Sequence, residues 1–438
     1  MDYRLTISNF IQNIQFSQLP APVIQQAKRC LLDTVGCILA GLSTPIGKSV
    51  VELSSLFPQP KGASVLGARR DVFPLIAAMA NGFLANALDA DDGHRTARGH
   101  PGGVIIPAAL AAAELKDCDG KAFIEALVVG YEIGLRSGLA INSGEAYWGS
   151  AHWATFGATA SAAKILKLLA GKEIHALGIS EMLTPTGQLM GWITAKDIPM
   201  IKEGMGWAAA TGLFSTMLAE KGTTGTLTLF DHREEIAQIS SLGSDFEILK
   251  LYFKQYPSCR WTHSALDNML AIIREKGLDS NDIAFIRVKT FKEAALLDSK
   301  EPQTIEDAQY SIPFVLGAAL AEGSFGPQQM NEEKLRDPRI LDLARRIHIS
   351  IDPDLKEKFP ESALAKVEVE THKGEIFIKS DEKVKGDWDM PLTDQELKEK
   401  FLSFSTVTLS APQAHKVLRL IENLEKIDHM KDFFESFS

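Results

Sequence analysis

Apolar residues recur at helical spacing through most of the first 270 positions. A run through Ile24, Ala27, Leu31, Val35 and Ile38 starts near Pro22 and stops at Gly41, and Ser43-Thr44-Pro45 opens the next helix. Residues 1 to about 57 therefore read as helices, and residues 57–74, FPQPKGASVLGARRDVFP, as a Pro/Gly-rich connection. Ile76, Met79, Ala80, Phe83, Leu84, Ala87 and Leu88 predict a helix with Pro74 in its first turn, and a second apolar helix begins at about Val104. The helix from Lys121 carries Gly130, Gly134 and Gly138. Each glycine costs about 1 kcal/mol against alanine in a helix interior, so the spacing predicts close helix–helix approach. Small residues recur at Gly157, Ala158, Ala160, Ser161 and Ala162 and in GWAAATGLFSTMLAEKG, which makes this part an alanine- and glycine-rich bundle.

The texture changes after about residue 270. Ile283 to Phe291 is β-branched and aromatic and reads as a strand. Ala365 to Ser380 alternates through Val367, Val369 and Thr371, turns at His372-Lys373-Gly374-Glu375 and resumes with Ile376 and Ile378, a β-hairpin. Ala308 to Glu322 and Glu332 to Ile347 read as helices, so this segment is mixed α+β. Thr393 and Pro412 begin two final amphipathic helices, with Val417, Leu418, Ile421 and Leu424 on the apolar face. The fold class expected is mainly α: a large all-helical domain plus a smaller mixed α+β domain.

Composition narrows the class without naming the chemistry. The chain has 438 residues, 45% hydrophobic and 23% charged, which is ordinary for a folded protein. A net charge of −10 without a basic block argues against nucleic acid, and an anionic substrate would need a local cationic pocket. No apolar run is long enough to span a bilayer, and MDYRLTISNF does not read as a signal peptide, so a soluble cytoplasmic protein is expected. Cys30, Cys37, Cys118 and Cys259 form no C-x-x-C, and the ten histidines form no H-x-x-x-H or H-E-x-x-H, so neither a disulfide scaffold nor a metal centre is expected.

Between the two central helices lies Asn86 to Pro107, NALDADDGHRTARGHPGGVIIP. Asp89, Asp91 and Asp92 fall at a helix C-terminus, where carboxylates are disfavoured unless a cation answers them. His94, His100, Arg95 and Arg98 follow, and Gly102-Gly103 open a helix whose amides suit an anion. A solvated loop with self-paired charges fits the same residues. Three further places stand out. His152 sits at a helix mouth, suited to a neutral base, though such histidines also cap or pack. Lys202, after TAKDIPMI and before Glu203-Gly204-Met205-Gly206, suits a carboxylate clamp, or plain solvation. Lys254, Tyr256, Arg260 and His263 crowd the connection between the two regions, which lines a cleft or anchors a linker.

Taken together, LDTVGCILAG (Leu32 to Gly41), the D-x-D-D…H-P-G stretch, the His152 helix mouth, the Lys202 segment and Tyr256-Pro257-x-Cys259-x-x-x-His263 resemble the 2-methylcitrate dehydratase (MmgE/PrpD) superfamily over essentially the whole chain. The resemblance implies a helical domain from residues 1–268, an α+β lid at 269–394, C-terminal helices 395–438 returning to the helical domain, and a homodimer. It implies no metal or organic cofactor. It places the active-site aspartate on Asp89, histidines on His100 and His152, and lysines on Lys202 and Lys254. The family's dehydratases and decarboxylases tend to carry D-D-T-W where this chain reads Asp91-Asp92-Gly93-His94-Arg95, and a lid tyrosine of the family falls on Phe314.

The expected function is a cofactor-independent lyase, a dehydratase or decarboxylase, acting on a small di- or tricarboxylate by proton transfer beside a carboxylate. His100 and His152 are the candidate proton-transfer groups, Asp89 their orienter and Lys202 a clamp. Arg95, His94, Asp92, Lys254, Tyr256 and Arg260 are the candidate substrate-binding residues. An epimerase of an N-substituted succinate such as iminodisuccinate, and a catalytically silent binding protein, are the alternatives.

Overall fold

The computed structural model describes residues 2–142, 148–185, 198–231 and 237–437. Its principal elements in chain order are α1 (Tyr3–Asn13), α2 (Ala21–Gly41), α3 (Pro45–Ser54), β1 (Pro58–Val65), β2 (Arg69–Val72), α4 (Pro74–Asn86), β3 (Gly93–His94), α5 (Gly102–Leu115), α6 (Gly120–Ile141), α7 (Ser150–Leu166), α8 (Lys172–Leu183) and α9 (Met205–Glu220). Then follow β4 (Leu251–Tyr252), α10 (Arg260–Lys276), β5 (Ile283–Thr290), α11 (Ile305–Gln309), α12 (Ile312–Glu322), α13 (Pro338–Arg345), β6 (Ile347–Ile351), β7 (Ala365–Thr371), β8 (Ile376–Ser380), α14 (Asp394–Ser405), α15 (Ala411–Glu422) and α16 (Met430–Glu435).

Helices α4, α5, α7 and α9 are apolar or small nearly all round, as helices enclosed by others must be. The glycine spacing has the expected cause. A Cβ on Gly157 of α7 would stand 2.5 Å from the Gly130 carbonyl oxygen of α6, and one on Gly134 only 3.2 Å from the Gly157 Cα. The backbones of α6 and α7 touch there, and dispersion across the seam offsets the helix propensity lost to glycine. At the far end of the chain α14 packs back on α2, with Phe401 against Gly36.

The mixed region is a four-stranded sheet ordered β6-β5-β7-β8. β5 pairs antiparallel with β7 and parallel with β6, and α11 to α13 make the crossover that a parallel pair requires. Ile286, Val288, Val367 and Val369 face inward, joining one core with residues of α10 and α12. That core also takes in Cys37, Ala40, Leu88, Ala90 and Phe404 from the bundle, so the boundary expected at 268 falls inside a continuous α10 whose packing belongs to the sheet.

Two local expectations are corrected. The connection at 57–74 contains the antiparallel β1–β2 ribbon, whose register shifts twice. Pro58, Pro60 and Gly62 argue against a strand, and the ribbon tolerates them because its pairing is irregular. The helix expected over 332–347 breaks at Asp337-Pro338, and Ile347, Ile349 and Ile351 alternate as strand β6.

Replacing Gly157 with alanine is expected to lower the unfolding free energy by roughly 1–3 kcal/mol through overpacking. A fall in the urea midpoint with an unchanged slope would show it; an unaltered midpoint would mean that the seam yields.

Candidate active site

The carbonyls of Asn86 and Ala87 at the C-terminus of α4, and of Asp89 and Ala90 just beyond it, belong to buried residues, and three lysines from distant parts of the chain bond them. The Lys202 ammonium donates to Asn86 O at 2.6 Å and Ala87 O at 3.3 Å. Lys254 donates to Asp89 O and Asp89 Oδ1, both at 2.8 Å. Lys400 of α14 donates to Ala90 O at 2.7 Å and Asp33 Oδ1 at 2.5 Å. Gln309 of α11 adds a bond to Ala87 O at 2.8 Å. Cations at the negative end of a helix dipole, Lys202 on its last carbonyls and Lys254 and Lys400 on the turn that follows, answer the acids that the sequence placed there.

Electrostatics follow from this geometry. Burial alone would raise the Asp89 carboxyl, but Lys254, Lys202 and His100 outweigh it and hold Asp89 well below the usual carboxylate range. Burial pulls Lys202 below the ordinary lysine value, with Asp89, Glu306 and Asp91 pulling the other way. Burial and then Asp33 push Asp92 up to about 8. Asp89, Arg98 and Lys202, three of the six non-glycine residues with left-handed backbone among the described residues, all lie here. Such conformations persist only where surrounding structure enforces them.

His100 is fixed by its neighbours. Its Nδ1 lies 2.7 Å from Asp92 O, and a carbonyl can only accept, so Nδ1 carries a proton and Nε2 is the nitrogen left to gain or lose one. Nε2 stands 4.0 Å from Asp89 Oδ1. The His100 amide donates to Ser150 Oγ at 2.7 Å, tying the loop to the first turn of α7. Loop 93–99 is pinned by β3, which pairs with β4. The Tyr252 ring lies directly over Gly93, where a Cβ would come within 2.1 Å of Cζ.

A cavity of about 90 Å³ opens at this point, lined on its polar sides by Asp89, His94, Arg95, Arg98, His100, Glu203, Tyr252, Lys254, Arg260 and Tyr310. Cys259, Trp261, Phe359, Pro360 and Ala363 form an apolar wall. Of the residues expected from sequence, the structure thus gathers Asp89, His94, Arg95, His100, Lys254 and Arg260. His94 is held by both nitrogens: Nδ1 accepts from the Ala97 amide at 3.0 Å, and Nε2 faces Glu247 Oε2 at 3.4 Å.

Four expected residues lie outside that lining. Lys202 is spent on the helix carbonyls. Asp92 accepts from the Gly102 amide at 2.8 Å and the Tyr131 hydroxyl at 2.6 Å, so an internal carboxyl group occupies the helix N-terminus that looked free for an anion. Tyr256 donates to Asp267 Oδ1 at 2.7 Å. His152 donates from Nδ1 to Pro185 O at 2.9 Å and stacks on Trp148, and burial lowers its pKa. The segment leading to Lys202 lies partly outside the described residues, at 194–197.

Sequence reasoning missed Tyr310, Tyr252 and Glu203. The lid tyrosine was placed on Phe314, which is buried in the lid core. Four residues earlier, the Tyr310 hydroxyl bonds to Asp89. Tyr310 ends α11 just before the Ser311 cap of α12, and nothing in the local pattern marks it. Burial raises the Cys259 thiol to about 12, so it is no nucleophile. Among the described residues no three His, Cys, Asp or Glu side chains gather as metal ligands.

The sequence model of the MmgE/PrpD N-terminal domain matches residues 5–249, and that of the MmgE/PrpD C-terminal domain matches residues 256–426. Cis-aconitate decarboxylase of Aspergillus terreus is 24% identical across 98% of this chain and 94% of its own length. Cis-aconitate decarboxylase of Mus musculus is 23% identical across 97% and 91%. The mitochondrial 2-methylcitrate dehydratase of Yarrowia lipolytica is 24% identical across 81% and 73%. A decarboxylase and a dehydratase of these kinds are both lyases.

Asp89→Asn leaves two buried ammonium groups short of their counter-charge and is expected to cost about 3–5 kcal/mol at pH 7. Because the folded-state pKa of Asp89 is depressed, its contribution is complete above the ordinary value of 3.8 and is lost as pH falls from there through the folded value. Urea unfolding at pH 5 and pH 2.5 should therefore show a larger loss for the wild type than for Asp89→Asn. Equal losses would mean that Asp89 is not the acid-sensitive carboxylate.

Proposed function

The chain belongs to the MmgE/PrpD family, and from that premise we propose that it is a lyase acting on a small di- or tricarboxylate with its own side chains as the proton-transfer groups. The observation that carries the proposal is the hydrogen bond that holds His100 Nδ1 to Asp92 O and leaves Nε2 as the proton-transfer nitrogen beside a cavity walled by Lys254, Arg95, Arg260 and Tyr310. In a dehydration, Nε2 takes the proton from carbon beside a carboxylate. The carbon–oxygen bond on the next carbon then breaks, and the departing hydroxide takes the proton that His100 now holds and leaves as water. In a decarboxylation, the bond to carbon dioxide breaks, the electron pair stays on carbon, and a His100 that enters the reaction with a second proton, on Nε2, gives it to that carbon and is left neutral. The imidazolium of either path stands 4.0 Å from the Asp89 carboxylate, which stabilises it. Cations and donors on the walls stabilise the charge that develops on the substrate.

Decarboxylation is the favoured outcome, because the relatives named cis-aconitate decarboxylase align across nearly the whole chain and the dehydratase across less of it. Epimerisation of an N-substituted succinate uses the same proton transfer without a leaving group. In this reading the protein also works as a homodimer, for which the exposed Trp207 and Phe214, seven residues apart on α9, supply an apolar face; light scattering at the mass of one chain would remove that part.

Proton NMR in deuterated water with cis-aconitate, 2-methylcitrate, citrate and iminodisuccinate tests the reaction. Loss of a carboxylate or a new vinyl signal establishes the lyase, whereas deuterium uptake on an unchanged skeleton establishes the epimerase. Tight binding without either leaves a silent binding protein. His100→Gln should lower turnover by roughly 10²–10⁴-fold with little change in thermal midpoint. A comparable loss in His152→Gln would give that residue the second proton.

A further inference from the structure

Of the five tyrosines among the described residues, four give their hydroxyls to partners within the chain. Tyr3 donates to Leu227 O, Tyr131 to Asp92, Tyr256 to Asp267 and Tyr310 to Asp89. Tyr252 is only 8% exposed, yet its hydroxyl bonds no described residue. Buried phenols ordinarily find an acceptor, because one left without is costly. Tyr252 lines the cavity, and its hydroxyl is not sealed off from open space. The ring is held from three sides. β4 pairs Tyr252 with Gly93, and the phenol end lies on that glycine, where a Cβ would come within 2.3 Å of the hydroxyl oxygen. The Arg260 guanidinium lies over the ring at 5.1 Å, and the His100 imidazole meets it edge-to-face with centroids 6.2 Å apart. Arg260 is fixed in turn by Asp387, in the segment between β8 and α14, which accepts from its Nη2 at 2.7 Å and also from Arg95 Nη2. The unpartnered phenol thus adjoins both the proton-transfer group and the arginine wall.

We propose that Tyr252 is a further catalytic residue, whose hydroxyl donates a hydrogen bond to the substrate carboxylate that remains beside the reacting carbon. This rests on the reading of the cavity as a lyase site. When a proton or carbon dioxide leaves, the electron pair left on carbon spreads toward that carboxylate, and its oxygens gain charge. A donor already in place stabilises the added charge more than it stabilises the bound substrate. Burial raises the phenol pKa well above its ordinary value, against the opposing pull of Arg260 and Arg95, so Tyr252 keeps its proton while His100 moves one. A phenol carries no charge, so unlike Arg95 and Arg260 it needs no internal carboxylate behind it.

Tyr252→Phe in the full chain keeps the ring and removes only the hydroxyl. Since that hydroxyl has no partner in the chain, the thermal midpoint should not fall. For whichever of cis-aconitate, 2-methylcitrate, citrate and iminodisuccinate the wild type transforms, kcat should drop roughly 10²-fold while KM changes by less than about threefold, the split expected of a contact made in the transition state. An unchanged kcat in the variant overturns the proposal and spares the lyase. A variant that unfolds or melts earlier also overturns it, because the hydroxyl would then serve an internal partner. Calorimetric titration with propane-1,2,3-tricarboxylate, which does not react, separates the two readings. If the wild type transforms none of the four acids, the lyase reading fails and the titration decides Tyr252 alone. Binding weakened about threefold or more in Tyr252→Phe then retains the hydroxyl as a carboxylate donor, and equal or absent binding removes it.

Discussion

Everything around the cavity depends on how the C-terminal end of one apolar helix is satisfied. α4 runs through the bundle core and ends at Asn86 with its carbonyls away from water, followed directly by Asp89 and its neighbours. A helix end of that kind is untenable without donors, and partial negative charge beside carboxylates makes it worse. Lys202 and Gln309 supply the hydrogen bonds at the helix end, and Lys254 and Lys400, bonded to Asp89 O and Ala90 O just beyond it, add to the opposing charge. Each ammonium gives up hydration to reach the site, which is tolerable only because each meets a carbonyl, a carboxylate or both.

Those lysines come from the turn before α9, the connection after β4 and the C-terminal α14, while Gln309 comes from the crossover of the sheet. No single segment of the chain can form the site. The aspartate beside His100 acquires its depressed pKa only when the bundle, the connection and the sheet region are in place, so the chemistry of the loop is a product of the whole fold. The buried contacts that fix Asp89 also explain why an acid sits there with left-handed backbone, a conformation that costs free energy and needs such enforcement.

The helical bundle was legible in the sequence because its signals are local: the 3.6-residue periodicity around α4, the proline that opens it, and the glycines of α6 whose cost required a packing partner. The hairpin of β7 and β8 was legible by alternation. What stayed hidden depends on pairing between distant segments. The β1–β2 ribbon looks like a connection, and β6 makes a strand only because β5 is beside it. At the site the same division holds. The loop from Asp89 to His100 stood out by composition, and its acids at a helix end demanded cations. Which cations answered could not be read locally, since Lys400 and its neighbour Lys398 look alike on an amphipathic helix. Nor could Tyr310 be told from Phe314, because only the fold decides which of two neighbouring rings reaches Asp89. Lys202 and Asp92 have the residue types of ligands yet serve the backbone, and sequence holds no mark that separates those uses.

A further consequence concerns how little charge is left over for a ligand. Asp92 occupies the helix N-terminus that an anion would have used, Asp387 occupies the paired arginines, and Asp89 occupies Lys254. A net-negative chain that built a strongly cationic pocket would have to hold it against self-repulsion among buried guanidinium and ammonium groups before any ligand arrived. Placing internal carboxylates behind the cations removes that repulsion and keeps the pocket folded when empty. The consequence is selectivity: with most positive charge already neutralised, an anion gains little from general attraction and must match the few donors that face the cavity. The same acids that stabilise the site therefore also weaken its general attraction for anions, and stability and selectivity here have one physical origin.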